Sequence, residues 1–162
     1  MERKQVKLFF FLLIILFVTF GATVDTSFNN PAFKARLVGG KELPPVQTKA
    51  HGEVTLQLNN GRDKLTYNVI ISNIKDITGT YIHQGKKDQQ SGPTLVDLFN
   101  EPKREDISGT FLADGVIEAD MLIGPLKGKS LDSLIQLMEA GEAYINVYTK
   151  DHPQGEIRGQ IE

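Results

Sequence analysis

The chain has 162 residues, 18 Lys and Arg against 20 Asp and Glu, a net charge of −2 and no cysteine. That length suits one domain. The composition excludes disulfides, thiolate nucleophiles and cysteine-ligated metals, and the lack of a basic run argues against nucleic acid as a partner.

The amino-terminal stretch reads as a leader. Arg3, Lys4 and Lys7 precede the apolar residues 8–20, interrupted only by Thr19. A basic start followed by an apolar run of this length marks a secretory signal. Cleavage after Gly21 or Ala22 is one outcome, and retention as an N-terminal anchor is the other. The run is short of the about 20 residues that span a bilayer. Residues 1–22 are therefore expected to be a signal peptide or anchor, residues 23–32 a short tether, and residues 33–162 the folded domain. The expected location is secreted or cell-surface. Without residues 1–22 the net charge falls from −2 to −4.

Beyond the tether, Phe33, Ala35 and Leu37 alternate with Lys34 and Arg36, the period of a half-buried strand. Gly39 and Gly40 end it, and Pro44–Pro45 holds the next segment extended without N–H donors. Residues 51–58 and 65–72 alternate on either side of Asn59-Asn60-Gly61, which reads as a hairpin. Residues 77–83 and 94–99 are further strands, separated by a polar loop, and residues 100–106 are a charged connection. Residues 108–113 and 116–122 are expected to pair around a turn at Asp114-Gly115. Leu131, Leu134, Ile135 and Met138 recur at helical spacing, with Ser130 as N-cap and Gly141 as the stop.

The last stretch is the most regular. In residues 143–149, Ala143, Ile145, Val147 and Thr149 share one face, and Tyr144, Asn146 and Tyr148 the other. A loop with Pro153 and Gly155 follows, and the alternation resumes with Ile157, Gly159 and Ile161 inward and Glu156, Arg158 and Gln160 outward. This is a closing hairpin. Many short strands at about 8–12-residue spacing with one helix predict an all-β antiparallel sandwich.

Enzymatic signatures are missing. Gly124 to Ser130 is one residue too short for a phosphate-binding loop, and an antiparallel domain is the wrong setting for it. No GxSxG elbow exists. His51, His83 and His152 are the only histidines, and no HxH or HxxxH pair joins them. Taken singly, each is expected to be solvated or structurally hydrogen-bonded.

Four segments carry a family resemblance: ARLVGGKELPPVQTKAHGEVTL, GTYIHQGKKDQQSGPTLVDLF, LIQLMEAGEAYINVYT and the closing PxGEIRGQ. In this order they resemble the CHRD domain, the module repeated in chordin. The resemblance implies an immunoglobulin-like antiparallel β-sandwich. It also implies a comparison of sites. CHRD domains typically read HIHxG where this chain has Tyr81-Ile82-His83-Gln84-Gly85, and NVHT where it has Asn146-Val147-Tyr148-Thr149. Only His83 is kept. Tyrosine, with a pKa near 10, is a poor ligand for most divalent metals at neutral pH. Parity puts Tyr81 and His83 on one strand face, and Asn146 and Tyr148 on one face of theirs.

Glu42 and Arg158 lie in the stretches most like the family, and Glu42 is expected to meet Arg158 as a structural clamp. The candidate ligand or polar cluster is thus Glu42, Tyr81, His83, Asn146, Tyr148 and Arg158, with no catalytic residue, metal or cofactor. The function expected is that of an exported, non-enzymatic binding or structural module. It would act as a monomer toward an extracellular protein or cell-surface ligand, and touch a membrane only through an uncleaved anchor. The alternative is a metal-binding or metal-dependent, superoxide-dismutase-like protein using its histidines.

Overall fold

The computed structural model describes residues 30–89, 91–98 and 110–162. The expected leader, most of the tether and the charged connection after Leu98 lie outside them.

Alternation dictates the first strands. β1 (Ala32–Val38) buries Phe33, Ala35 and Leu37 and exposes the residues between them. β2 (His51–Leu58) returns against it with Phe33 opposite Leu56 and Ala35 opposite Val54, so both apolar rows enter one core. The Asn59 side-chain carbonyl accepts the backbone N–H groups of Asp63 and Lys64 and closes the turn into β3 (Leu65–Ser72). There follow β4 (Ile77–Gln84), β5 (Thr94–Asp97), β6 (Thr110–Ile117), an α-helix, α1 (Leu131–Glu139), then β7 (Ala143–Thr149) and β8 (Ile157–Gln160). Three short 3-10 turns lie between elements, the first at Gly39–Lys41.

The eight strands of the described residues join one antiparallel sheet in the order β5-β4-β7-β8-β1-β2-β3-β6. The all-β class is as expected, but the two separate sheets of a sandwich are not seen. The physical reason is β8. It pairs with β7 on one edge and with β1 on the other, joining halves that a sandwich keeps apart. The sheet curls until its ends nearly meet: the Ile123 N–H donates to the Leu95 carbonyl at 2.9 Å, and the Tyr67 hydroxyl to the Leu98 carbonyl at 3.1 Å. The result is barrel-like. Its interior holds Leu37, Leu56, Leu65, Ile71, Ile82, Leu95, Ile117 and Ile145, none more than 1% exposed. α1 covers part of it with Leu131, Leu134, Ile135 and Met138, as the helical spacing required.

Two local expectations change. Ser130 stands at the N-cap of α1, yet its side chain makes no capping hydrogen bond. Asp114-Gly115 is not a turn: β6 runs straight through it, paired with β3 from Leu65 opposite Ile117 to Ser72 opposite Thr110. A full ladder outweighs the local turn preference. Gly115 faces Tyr67, and a Cβ there would sit 2.6 Å from the Tyr67 hydroxyl, so the missing side chain makes room for the ring.

Candidate functional site

The closing hairpin sets the frame of the site. Strict alternation sends Ile145, Val147 and Ile157 into the core and leaves Tyr144, Asn146, Tyr148 and Arg158 on the outer face. Register then builds a row across the sheet. Tyr81 of β4 lies opposite Asn146 of β7, Asn146 opposite Arg158 of β8, and Arg158 opposite Val38 of β1. A second row places His83 opposite Tyr144 and Tyr144 opposite Gln160. β7 lies between β4 and β8, so Tyr144 stands between His83 on one side and Arg158 on the other.

The outward assignment of Glu156, Arg158 and Gln160 is correct in parity, yet that face is not open. Glu156 is 8% exposed and Arg158 only 2%. Two segments cover it. The strap that follows β1, from Gly39 onward, folds back on itself as the N–H groups of Glu42 and Val46 donate to the Gly39 carbonyl. It is tied to the hairpin by the Thr48 hydroxyl, which donates to Glu156 Oε1 at 2.7 Å. The Thr149 hydroxyl donates to Glu156 Oε2, also at 2.7 Å. The second cover is the loop after β4, whose Lys86 carbonyl accepts from Arg158 Nη2 at 3.2 Å.

Under these covers the predicted residues come together. The central guanidinium carbon of Arg158 lies over the Tyr144 ring, 3.5 Å from its centroid, a cation–π contact. The His83 ring stacks on Tyr144 with centroids 5.2 Å apart and an interplanar angle of 16°. His83 Nδ1 lies 3.0 Å from the Gly92 carbonyl, and Nε2 lies 3.1 Å from the Tyr148 hydroxyl. A carbonyl only accepts, so Nδ1 carries the hydrogen and Nε2 accepts from the phenol. Tyr81 completes the ring cluster, edge-on to Tyr148 at 5.6 Å and to His83 at 6.0 Å. The Gly92 N–H donates to the Tyr144 hydroxyl at 3.2 Å.

Glu42 enters from the strap and is 5% exposed. Asn146 Nδ2 donates to its Oε2 at 3.4 Å. Glu42 Oε1 and Asn146 Oδ1 have no hydrogen-bond partner among the described residues. Both converge on Gly155, where a Cβ would lie 2.8 Å from each. Burial pushes the Glu42 carboxyl up from 4.5 to about 7, against the opposing pull of the Arg158 charge and the Asn146 hydrogen bond. Burial also lowers the His83 pKa, and the nearby Arg158 charge lowers it further, while its bond to the Gly92 carbonyl works the other way. The Tyr148 phenol is pushed up to about 12, chiefly by burial. The chemistry that results is a neutral imidazole, a phenol that stays protonated, and a carboxyl that titrates near neutrality.

All six candidates, Glu42, Tyr81, His83, Asn146, Tyr148 and Arg158, therefore lie on one patch. Tyr144, its central ring, is not among the six, although the alternation places it on the face of Asn146 and Tyr148. The other two histidines are elsewhere. His51 is exposed at the start of β2, with Nδ1 3.0 Å from the Lys49 carbonyl. His152 sits in the β7–β8 connection. Among the described residues no three His, Asp or Glu side chains are grouped to hold a metal ion.

No curated protein and no solved structure matches this chain. The family model for the CHRD domain does, over residues 33–161, which is essentially the whole described chain. The chain belongs to the CHRD domain family.

Proposed function

We propose that this protein is an exported, non-enzymatic module that binds or supports a partner outside the cytoplasm. The single observation that carries this reading is how the His83 ring is used. Its two nitrogens are engaged by the Gly92 carbonyl and the Tyr148 hydroxyl. A general base needs a free nitrogen within reach of a substrate proton, and a metal ligand needs a lone pair aimed at the ion. His83 offers neither without breaking the cluster.

The neighbouring groups fit the same reading. Tyr144 is spent on stacking, Arg158 on Tyr144 and the Lys86 carbonyl, and Glu156 on two hydroxyls. Together they pin the strap and the loop after β4 onto the sheet, so the cluster acts as a polar second core. Recognition of an extracellular protein or cell-surface ligand then falls to the surface those segments form. The leader-like residues 1–22 support export, with membrane contact only if they stay uncleaved.

Two measurements test the proposal. Cell fractionation followed by mass spectrometry of the native protein should find it outside the cytosol; cytosolic protein with an intact leader refutes export. Calorimetric titration with zinc or copper(II) should show no affinity beyond that of isolated histidines. A one-to-one complex at micromolar or tighter affinity, lost in His83→Ala, refutes the non-catalytic reading.

A further inference from the structure

Two buried oxygens beneath the strap lack a hydrogen donor. Glu42 and Asn146 are each 5% exposed. One bond joins them, from Asn146 Nδ2 to Glu42 Oε2 at 3.4 Å, while Glu42 Oε1 and Asn146 Oδ1 have no partner among the described residues. Both orphans crowd one point. A Cβ on Gly155 would lie 2.8 Å from each and 2.7 Å from Asn146 Nδ2, so Gly155 closes the site with no room for a side chain.

Buried polar groups are paired as a rule, and a buried acceptor left without a donor is costly. An ionised carboxylate and an amide oxygen both only accept, so neither can satisfy the other. One hydrogen removes the conflict. A protonated carboxyl has an O–H to give and keeps an oxygen that accepts, and a carboxamide is its complement. With the hydrogen on Glu42 Oε1, that oxygen donates to Asn146 Oδ1 while Asn146 Nδ2 still donates to Oε2, and both orphans are satisfied in one ring. We propose that Glu42 is a proton-operated latch: protonated, it closes a two-point acid–amide pair with Asn146 that holds the strap on β7, and ionised, it loses that pair and lets the strap open more often.

The groups around Glu42 leave it as the one that switches. Arg158 of β8 pulls against its proton but lies over Tyr144 and donates to the Lys86 carbonyl, and none of the ion pairs among the described residues includes Glu42. Burial holds the Tyr144 and Tyr148 phenols of β7 protonated and favours the neutral ring of His83 on β4. Glu156 has both oxygens on the Thr48 and Thr149 hydroxyls, and Lys41 on the strap donates to the Arg36 carbonyl. Burial outweighs the Arg158 charge, so the docked carboxyl titrates at about 7, whereas an open strap returns it to the ordinary 4.5. The docked strap therefore holds the proton more tightly, and strap opening grows as pH rises through that window and levels off above it. Between pH 6 and pH 8.5 the linked change in the opening equilibrium is about tenfold.

The latch deepens the proposed function, which places recognition on the surface the strap helps to form, by making that surface respond to pH. Its test involves no partner and no fractionation, so its failure leaves the proposed function standing. NMR on the labelled full-length protein should show the Glu42 carboxyl carbon and the Asn146 carboxamide carbon titrating together, with a shared midpoint of about 7. Amide exchange at pH 6 and pH 8.5, corrected for the intrinsic effect of pH, follows the N–H groups of Glu42 and Val46, both bound to the Gly39 carbonyl. Their protection should fall about tenfold and stay below that of the β3 amides, so that the strap opens by itself. Glu42→Gln, whose amide makes the same two bonds without a titrating proton, should keep strap protection constant over this range. If that variant does not fold, the parent titration and exchange decide alone. The proposal is overturned if Glu42 titrates near 4.5 or if the Asn146 carbon does not follow it. It is equally overturned if strap protection is unchanged by pH, falls as far in Glu42→Gln, or equals that of β3.

Discussion

Glu42→Gln should change how stability depends on pH, and the size of the change follows from the burial of one carboxyl. Glu42 is 5% exposed and its pKa rises from 4.5 to about 7. The folded protein thus holds this proton more tightly than the unfolded chain. Between pH 4.5 and about 7 folding takes up a proton, and the Glu42 contribution to stability falls as pH rises through that window. Above it the cost of the buried charge is complete. At 1.36 kcal/mol per pKa unit that cost is about 3 kcal/mol.

His83 acts in the opposite sense. Its lowered pKa means the folded state favours the neutral ring, so its contribution is full above the ordinary value of 6.5 and is lost as pH falls below it. The parent profile mixes both effects, whereas the difference between parent and Glu42→Gln cancels His83. Urea unfolding followed by far-ultraviolet circular dichroism at pH 5, 6, 7 and 8 gives that difference. The variant should gain on the parent by about 2.5 kcal/mol between pH 5 and pH 8, since part of the change already falls below pH 5. A difference that stays constant over this range refutes the claim that Glu42 is buried against a net desolvation cost.

Two further predictions concern the closing hairpin. A Cβ on Gly159 would lie 2.4 Å from the Arg36 carbonyl oxygen, which is backbone and cannot rotate away; Gly159→Val should cost about 3 kcal/mol through overpacking, read as a fall in the urea midpoint. Truncation after Lys150 removes β8, the strand that joins β7 to β1, together with Ile157 and Ile161, each fully buried. With roughly 1.5–3 kcal/mol per buried isoleucine and a total stability of about 5–15 kcal/mol, the truncated chain should be unfolded or aggregated. A folded product with an unchanged midpoint would reduce the hairpin to an appendage.

Much of this arrangement was legible in the residues. Period-two alternation identified β1 to β4, β7 and β8 and placed Tyr81 with His83, and Asn146 with Tyr148, because a side chain's face depends only on its count along the strand. What alternation does not encode is whether a face is covered. Arg158 and Glu156 have the parity of solvent-facing residues, and only the return of the strap and the loop after β4 buries them. Pairing between strands distant in sequence is equally silent, so β8 joining β1, which turns a sandwich into a continuous barrel-like sheet, emerged only in the structure. At Asp114-Gly115 the local turn signal was real but lost to eight paired positions along β3. Tyr144 shows a third limit. No family contrast singled it out, although it is the ring on which Arg158 and His83 both stack.

The central claim, that this cluster is a closed structural network and not a reactive centre, rests on the state of one imidazole. Long-range proton–nitrogen NMR on uniformly labelled protein reads that state directly. The account predicts that His83 is neutral from pH 7 to 8 with its hydrogen on Nδ1, and that its shifts do not move when zinc is added. In Tyr148→Phe the Nε2 resonance alone should move, because that substitution removes its hydrogen-bond donor. An Nε2–H tautomer, a midpoint at or above the ordinary 6.5, or a zinc-dependent shift of either nitrogen would contradict it.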